Sequence, residues 1–205
     1  MSRAMSRKIH IGIARQAIRS RQTAVALLLA ALSIASPARA TTIERMTLDQ
    51  LARAAGAVVR ARCVSTSARW ENGSIWTFSE FDIVERFKGN PPARIRVRSP
   101  GGSVGHISTR VEEAPEFRPG DDAVLFLEAA ADGSYGVTAW TEGTFRIRKG
   151  PRAGQELVTQ DSIGVAVFDP VTRTFRSEGT RNLLWSDFRQ RLAGALSQPN
   201  AGGPR

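Results

Sequence analysis

The sequence predicts a mainly β protein, a small closed or partly open barrel of short strands with one leading helix and one C-terminal helix. Three observations predict it. Short segments with an apolar side chain at every second position recur from Ala57 to Arg148, the pattern of half-buried strands. Turn residues separate them closely, above all Asn72-Gly73 and Asp132-Gly133, which favours antiparallel neighbours over a parallel sheet. On each side of this region, one segment carries apolar residues at helical spacing instead.

Residues 1–40 read as an export signal. They hold seven basic side chains (Arg3, Arg7, Lys8, Arg15, Arg19, Arg21, Arg39) and no acid. The apolar run from Thr23 to Ala35 is shorter than the roughly 20 helical residues that span a bilayer, so no stable membrane span is expected after cleavage. Ala38 and Ala40 supply the small-x-small cleavage pattern, so processing is expected after Ala40. No adjacent arginine pair precedes the run, which points to the general secretory route and to the periplasm or the extracellular space.

Removal of the signal changes the electrostatics. The 29 basic residues of the chain drop to 22, against 19 acids, and the net charge falls from +10 to +3. That value predicts no nucleic-acid partner, whose binding needs clustered phosphate contacts. One domain is expected over residues 41–196, with a disordered Pro/Gly tail over 197–205. Cys63 is the single cysteine, so no internal disulfide can form.

Along the domain, Thr47 and Gln50 make a capping box for a helix whose Leu48, Leu51 and Ala55 share a face. A strand follows with Val59, Ala61 and Cys63 inward and Arg60 and Arg62 outward, and Cys63 is expected to be buried and unreactive. Asn72-Gly73 begins the return, because a type I′ turn needs positive φ at both central positions; the sequon Asn72 to Ser74 coincides with it. In the long second strand the apolar phase flips between Phe81-Ile83 and Val84-Phe87, the mark of a β-bulge. Ile95 and Val97 continue the alternation, and Ile107, Thr109 and Val111 are read as inward-facing after them. An apolar strand, the Asp132-Gly133 turn, a further strand, and Phe145 with Ile147 follow. Residues 165–175 suggest a last hairpin, and Leu184, Phe188, Leu192 and Ala195 form the stripe of the C-terminal helix.

Candidate site residues lie between Arg94 and Asp121. Arg94, Arg96 and Arg98 alternate with inward residues as a solvated strand face does, their stems covering apolar surface. A functional role for this stripe, extended by Arg60 and Arg62 if their strand lies alongside, would favour an acidic partner such as anionic glycan or lipid. The stretch Pro100 to Gly105 lacks the lysine and spacing of a P-loop and reads as a turn. His106 is the only histidine after cleavage; no triad spacing joins it to Ser103 or Ser108, and Glu112, Glu113 and Glu116 lack calcium-loop spacing. No catalytic residue, metal or cofactor is therefore predicted. Trp76 and Phe78 are read as sharing a strand face with no basic neighbour, which argues against base stacking. The segment Ser99–Asp121, with two turn clusters around one short strand, is the expected recognition surface; His106, Arg110, Phe117 and Arg118 are its contact candidates. Phe117 fits either an interface anchor or a pin that holds the bend to the barrel.

The order of Gly56–Ser65, Phe87-Lys88-Gly89, Ser99–Gly102 and Gly120–Glu128 resembles the netrin-type module, an OB-like barrel shared by tissue inhibitors of metalloproteinases. It is more similar still to secreted bacterial domains of unknown function with the same leading helix and motifs. The resemblance covers residues 47–148 and implies an OB-like fold and a binding role. It does not carry over the inhibitors' zinc-binding N-terminal cysteine, since the expected first residue is Thr41 and Cys63 lies within a strand. The expectation is an exported non-enzymatic module that binds a protein or cell-envelope component. The alternatives are a secreted protease inhibitor or accessory protein and, further off, a hydrolase around His106.

Overall fold

The computed structural model describes residues 46–162, 167–169, 174–176 and 179–197. The expected export signal and nearly all of the expected tail lie outside the described residues; Ser197 is the last residue of the C-terminal helix.

Helix α1 (Leu48–Ala54) begins as its sequence dictates. The Thr47 Oγ1 accepts from the Gln50 amide, and the Gln50 side chain accepts from the Thr47 amide. Its far end is closed from outside, because Lys88 Nζ donates to the carbonyls of Ala52 at 2.7 Å and Ala55 at 2.6 Å. A lysine there satisfies orphan carbonyls and complements the helix dipole. Gly89 follows at φ 72°, and a Cβ on it would sit 2.7 Å from the Gly56 carbonyl oxygen. The Phe-Lys-Gly motif is thus the joint between helix and barrel.

Strands β1 (Ala57–Glu71) and β2 (Ser74–Lys88) form a long antiparallel hairpin around Asn72 and Gly73, at φ 51° and 79°. After them come β3 (Arg94–Pro100), β4 (Gly102–Val104), β5 (Ile107–Thr109), β6 (Asp122–Ala129), β7 (Tyr135–Val137), β8 (Thr144–Lys149) and β9 (Glu156–Gln160). Then follow β10 (Val167–Asp169) and β11 (Thr174–Arg176), paired as the expected last hairpin, β12 (Leu183–Leu184), and helix α2 (Trp185–Ser197). The ring runs β1-β2-β3-β7-β6 and closes by β6 pairing back onto β1; β8, β9 and β12 continue from β6 as an outer sheet. This is the mainly β, OB-like barrel with two helices that the sequence predicts. Among the described residues no helix is long and apolar enough to cross a membrane.

Ring curvature comes from bulges. The register steps from Arg60↔Glu85 to Ala61↔Ile83, leaving Val84 over, at the phase flip legible in the sequence; two further steps leave over Phe87 and Val64. The core has two parts. Val59, Ala61, Phe81, Ile95, Val97, Leu125 and Leu127 fill the barrel, while Val58, Val124, Phe126, Phe145, Phe188 and Leu192 pack between its outer wall and the helices. β6 is therefore buried on both faces, which is why its sequence is a continuous apolar run rather than an alternation.

Two expectations need correction, and three strands were not anticipated. Ile107, Thr109 and Val111 do not face inward: β5 pairs with β4 in a small flap outside the ring, and Ile107 is 53% exposed. Leu184 lies in β12 and is exposed, so the α2 stripe consists of Phe188, Leu192 and Ala195. β4, β9 and β12 were not legible: β4 and β12 are too short for alternation to show, β9 is mostly polar, and β12 finds its partner in β9 rather than in a sequence neighbour.

Cys63 is buried in the barrel, its thiol pushed up to about 11 by desolvation first and then by the nearby Asp121 charge. Thiolate is the reactive form, so a disulfide-forming reagent at about pH 8 is expected to label the native protein at least about 100-fold more slowly than the unfolded chain. Rapid labelling of the native protein would contradict this placement.

Candidate functional site

From Arg110 to Asp121 the chain runs without regular structure between β5 and β6. It is tied at three places. Phe117 is 6% exposed and meets Phe81 edge-on at 5.0 Å. Near the end of the loop the Gly120 amide donates to the Cys63 carbonyl and the Cys63 amide to the Asp121 carbonyl, each at 2.8 Å, extending the β1 ladder into the loop. Between these, Arg146 of β8 acts as a clasp. Its guanidinium donates to Asp161 at 2.6 Å, to Asp121 at 2.6 Å and to the Glu116 carbonyl at 2.5 Å, and it lies 5.4 Å from the Phe117 ring centroid.

The electrostatics of the clasp follow from burial. Desolvation opposes the charge on Arg146, but the hydrogen bonds and charges of Asp161 and Asp121 outweigh it and hold the guanidinium more firmly protonated than usual. Asp161 is pushed above the usual carboxylate range by burial, against the lowering effect of Arg146.

A cavity flanks the loop on either side. The larger, about 700 Å³, lies between the loop and Arg146, Arg148, Thr141 and Asp161. The smaller, about 380 Å³, lies between the loop and the β4–β5 flap. Arg110, Val111, Ala114 and Glu116 line both, so this stretch is a wall between two hollows. The guanidinium groups of Arg110 and Arg118 are exposed and have no ion-pair partner among the described residues.

The structure separates the predicted site residues into two places. Arg110 and Arg118 line the larger cavity, and Phe117 lines the smaller one as a buried pin. Arg94, Arg96 and Arg98 line neither. Arg94 bonds Asp82 at 2.7 Å, holding that carboxyl below its usual range, and Arg96 bonds Glu80 at 2.6 Å. Arg98 bonds Asp132 at 3.2 Å and lies 3.9 Å from the Trp76 ring centroid. The stripe is thus matched by carboxylates on neighbouring elements, and such exposed pairs contribute little in water. Of its suggested extension, Arg62 shares the register row of Asp82 and bonds Asp122 at 3.7 Å; Arg60 is turned to Asp122 and Glu156 beside Trp185.

Trp76 and Phe78 do have basic neighbours, contrary to the sequence reading, because Arg69 lies 3.9 Å from the Phe78 centroid and Arg98 covers Trp76. Both arginines come from adjacent strands, so spacing within β2 could not reveal them. His106 is exposed at the tip of the flap and lines neither cavity, while Ser103 and Ser108 bond each other at 2.9 Å. Among the described residues no group of three or more His, Cys, Asp or Glu side chains is placed to hold a metal ion. Sequence reasoning missed Arg146, Asp161 and Ser99. No family model, curated protein or solved structure matches the chain, so the likeness to the netrin-type module rests on the order of its sequence motifs.

Proposed function

We propose that this chain is an exported, non-enzymatic binding module that recognises a protein or cell-envelope component through the loop from Arg110 to Asp121. The observation that carries the reading is the loop's placement: a clasped, irregular segment with a cavity on either side, two exposed arginines without an ion-pair partner among the described residues, and three glutamates, Glu112, Glu113 and Glu116. A loop held on a rigid barrel is pre-organised for recognition, since its ordering entropy is already spent. Charges of both signs suit a protein surface better than a uniformly anionic polymer.

The test is capture from an envelope fraction with the purified protein and an Arg110→Ala/Arg118→Ala variant. The variant is expected to keep its Tm, because neither guanidinium has a partner among the described residues, and to capture the specific partner at least about tenfold more weakly. Full capture by this variant overturns the reading.

A further inference from the structure

We propose that the smaller cavity receives a neutral hydrogen-bonding side chain, a carboxamide or a hydroxyl, carried by an extended segment of a partner protein. The inference rests on the binding role proposed for the loop and names the chemistry of what enters beside it.

The cavity owes its existence to two glycines. Gly101 and Gly102 sit at φ 94° and 127°, and they turn the chain from β3 back over the hairpin as the β4–β5 flap. A Cβ on Gly102 would lie 2.3 Å from Thr77 Oγ1, and one on Gly101 2.8 Å from the Thr109 carbonyl oxygen. Only glycine permits this approach.

Within the cavity wall one polar group is left over. Ser99 follows Ile95 and Val97 on the inner side of β3, is 4% exposed, and its Oγ has no hydrogen-bond partner. Of the neighbouring hydroxyls, Thr77 Oγ1 donates to the Gly101 carbonyl at 2.8 Å, and Ser103 and Ser108 bond each other; none of them bonds Ser99. Buried polar atoms are almost always satisfied by protein or ordered water, and one in a cavity wall marks where a water, or a partner group that displaces it, hydrogen-bonds.

The lining selects that group. Val111, Ala114 and Pro115 are apolar, and the two charged lining residues, Arg110 and Glu116, are exposed on the loop. Arg110 and Glu116 carry opposite charges, so the cavity offers an ion no net countercharge for the hydration it would lose, and the entering group is neutral. A sugar ring is disfavoured, because the single aromatic lining residue, Phe117, is buried against the edge of Phe81 and beneath Arg146 and offers no open face. β5 pairs only with β4, so its other edge has no partner strand among the described residues, and its Ser108 and Thr109 line the cavity. An extended peptide added to such an edge makes main-chain hydrogen bonds and points alternate side chains to one side.

A random heptapeptide display library, panned against the purified protein and against Ser99→Ala, tests this. The wild type is expected to enrich peptides with Asn, Gln, Ser or Thr at one fixed position. A synthetic consensus peptide is expected to bind about tenfold more weakly to Ser99→Ala, or when that position is alanine. The Tm of Ser99→Ala should be unchanged or higher, since the replaced hydroxyl has no partner, which separates a binding role from a structural one. Enrichment of a charged or aromatic residue at that position, no fixed position, equal binding by Ser99→Ala, or displacement of the peptide by a monosaccharide overturns the proposal. If Ser99→Ala binds equally while Arg110→Ala/Arg118→Ala still abolishes envelope capture, the cavity assignment falls and the loop's role stands.

Discussion

Replacing Arg146 by alanine is expected to lower the stability of the fold by about 3 kcal/mol, and the Tm by roughly 6–12 °C for a chain of this length. The figure is at the low end for a broken buried ion pair because 17% of the side chain remains exposed. The loss is mostly a penalty. Without the guanidinium, Asp161 and Asp121 face each other with no countercharge between them, and the Glu116 carbonyl loses its donor. Adding Asp161→Asn should therefore recover a large part of the loss, which it would not if Arg146 acted through packing alone. The pH dependence has a definite sign. The folded-state pKa of Asp161 is raised, so its stabilising contribution is complete below the unfolded value of 3.8 and fades as pH rises through the raised value. In the wild-type background, Asp161→Asn should accordingly gain on its parent as pH rises from below 3.8 through the raised value. With the clasp gone, trypsin should cut first after Arg110, the loop's other arginine, Arg118, being protected by Pro119; resistance at Arg110 and an unchanged Tm would refute the role given to Arg146.

Phe117→Ala is expected to cost about 3–5 kcal/mol, the range for emptying a core position of a whole aromatic ring. The ring joins the barrel core with Phe81, Leu125 and Val137, so truncation opens a void beneath the loop. The sequence left this residue between anchor and pin, and burial decides for the pin. Phe117→Leu, which refills most of the volume, should restore most of the Tm and all of the partner capture. If Phe117→Ala melts like the wild type and loses only capture, the ring is a contact residue and its buried placement is wrong.

What could be read beforehand was whatever is written locally. The capping box of α1, the Asn72-Gly73 turn and the bulge at Val84 each depend on neighbours in sequence, and each is where the pattern puts it. The flap shows the opposite case: Ile107 alternates correctly with its neighbours, but alternation says which residues share a face, not whether anything covers that face. Arg146 and Arg148 occupy equivalent steps in Phe145–Lys149, and nothing there marks the first as a clasp. Its carboxylates come from positions 121 and 161, brought together only when β6, β8 and β9 assemble. Ser99 likewise looks like any strand serine until the fold buries it and leaves its Oγ without a partner.

Ring closure sets an order of events during folding. The β1–β2 ladder grows outward from a two-residue turn and can form on the timescale of a hairpin, about 1–10 μs. The seam that joins Ala57–Arg62 to Asp122–Leu127 must wait until some sixty intervening residues are folded back, a loop-closure cost that the local ladder does not carry. Until then the edge of β6 that meets β1 is open, and the run Ala123–Leu127, destined for burial on both faces, is uncovered on its barrel side. This five-residue apolar run is the segment through which two unfinished chains would pair with each other, so the rate of seam closure, more than the strength of the finished barrel, governs how much of the protein escapes aggregation.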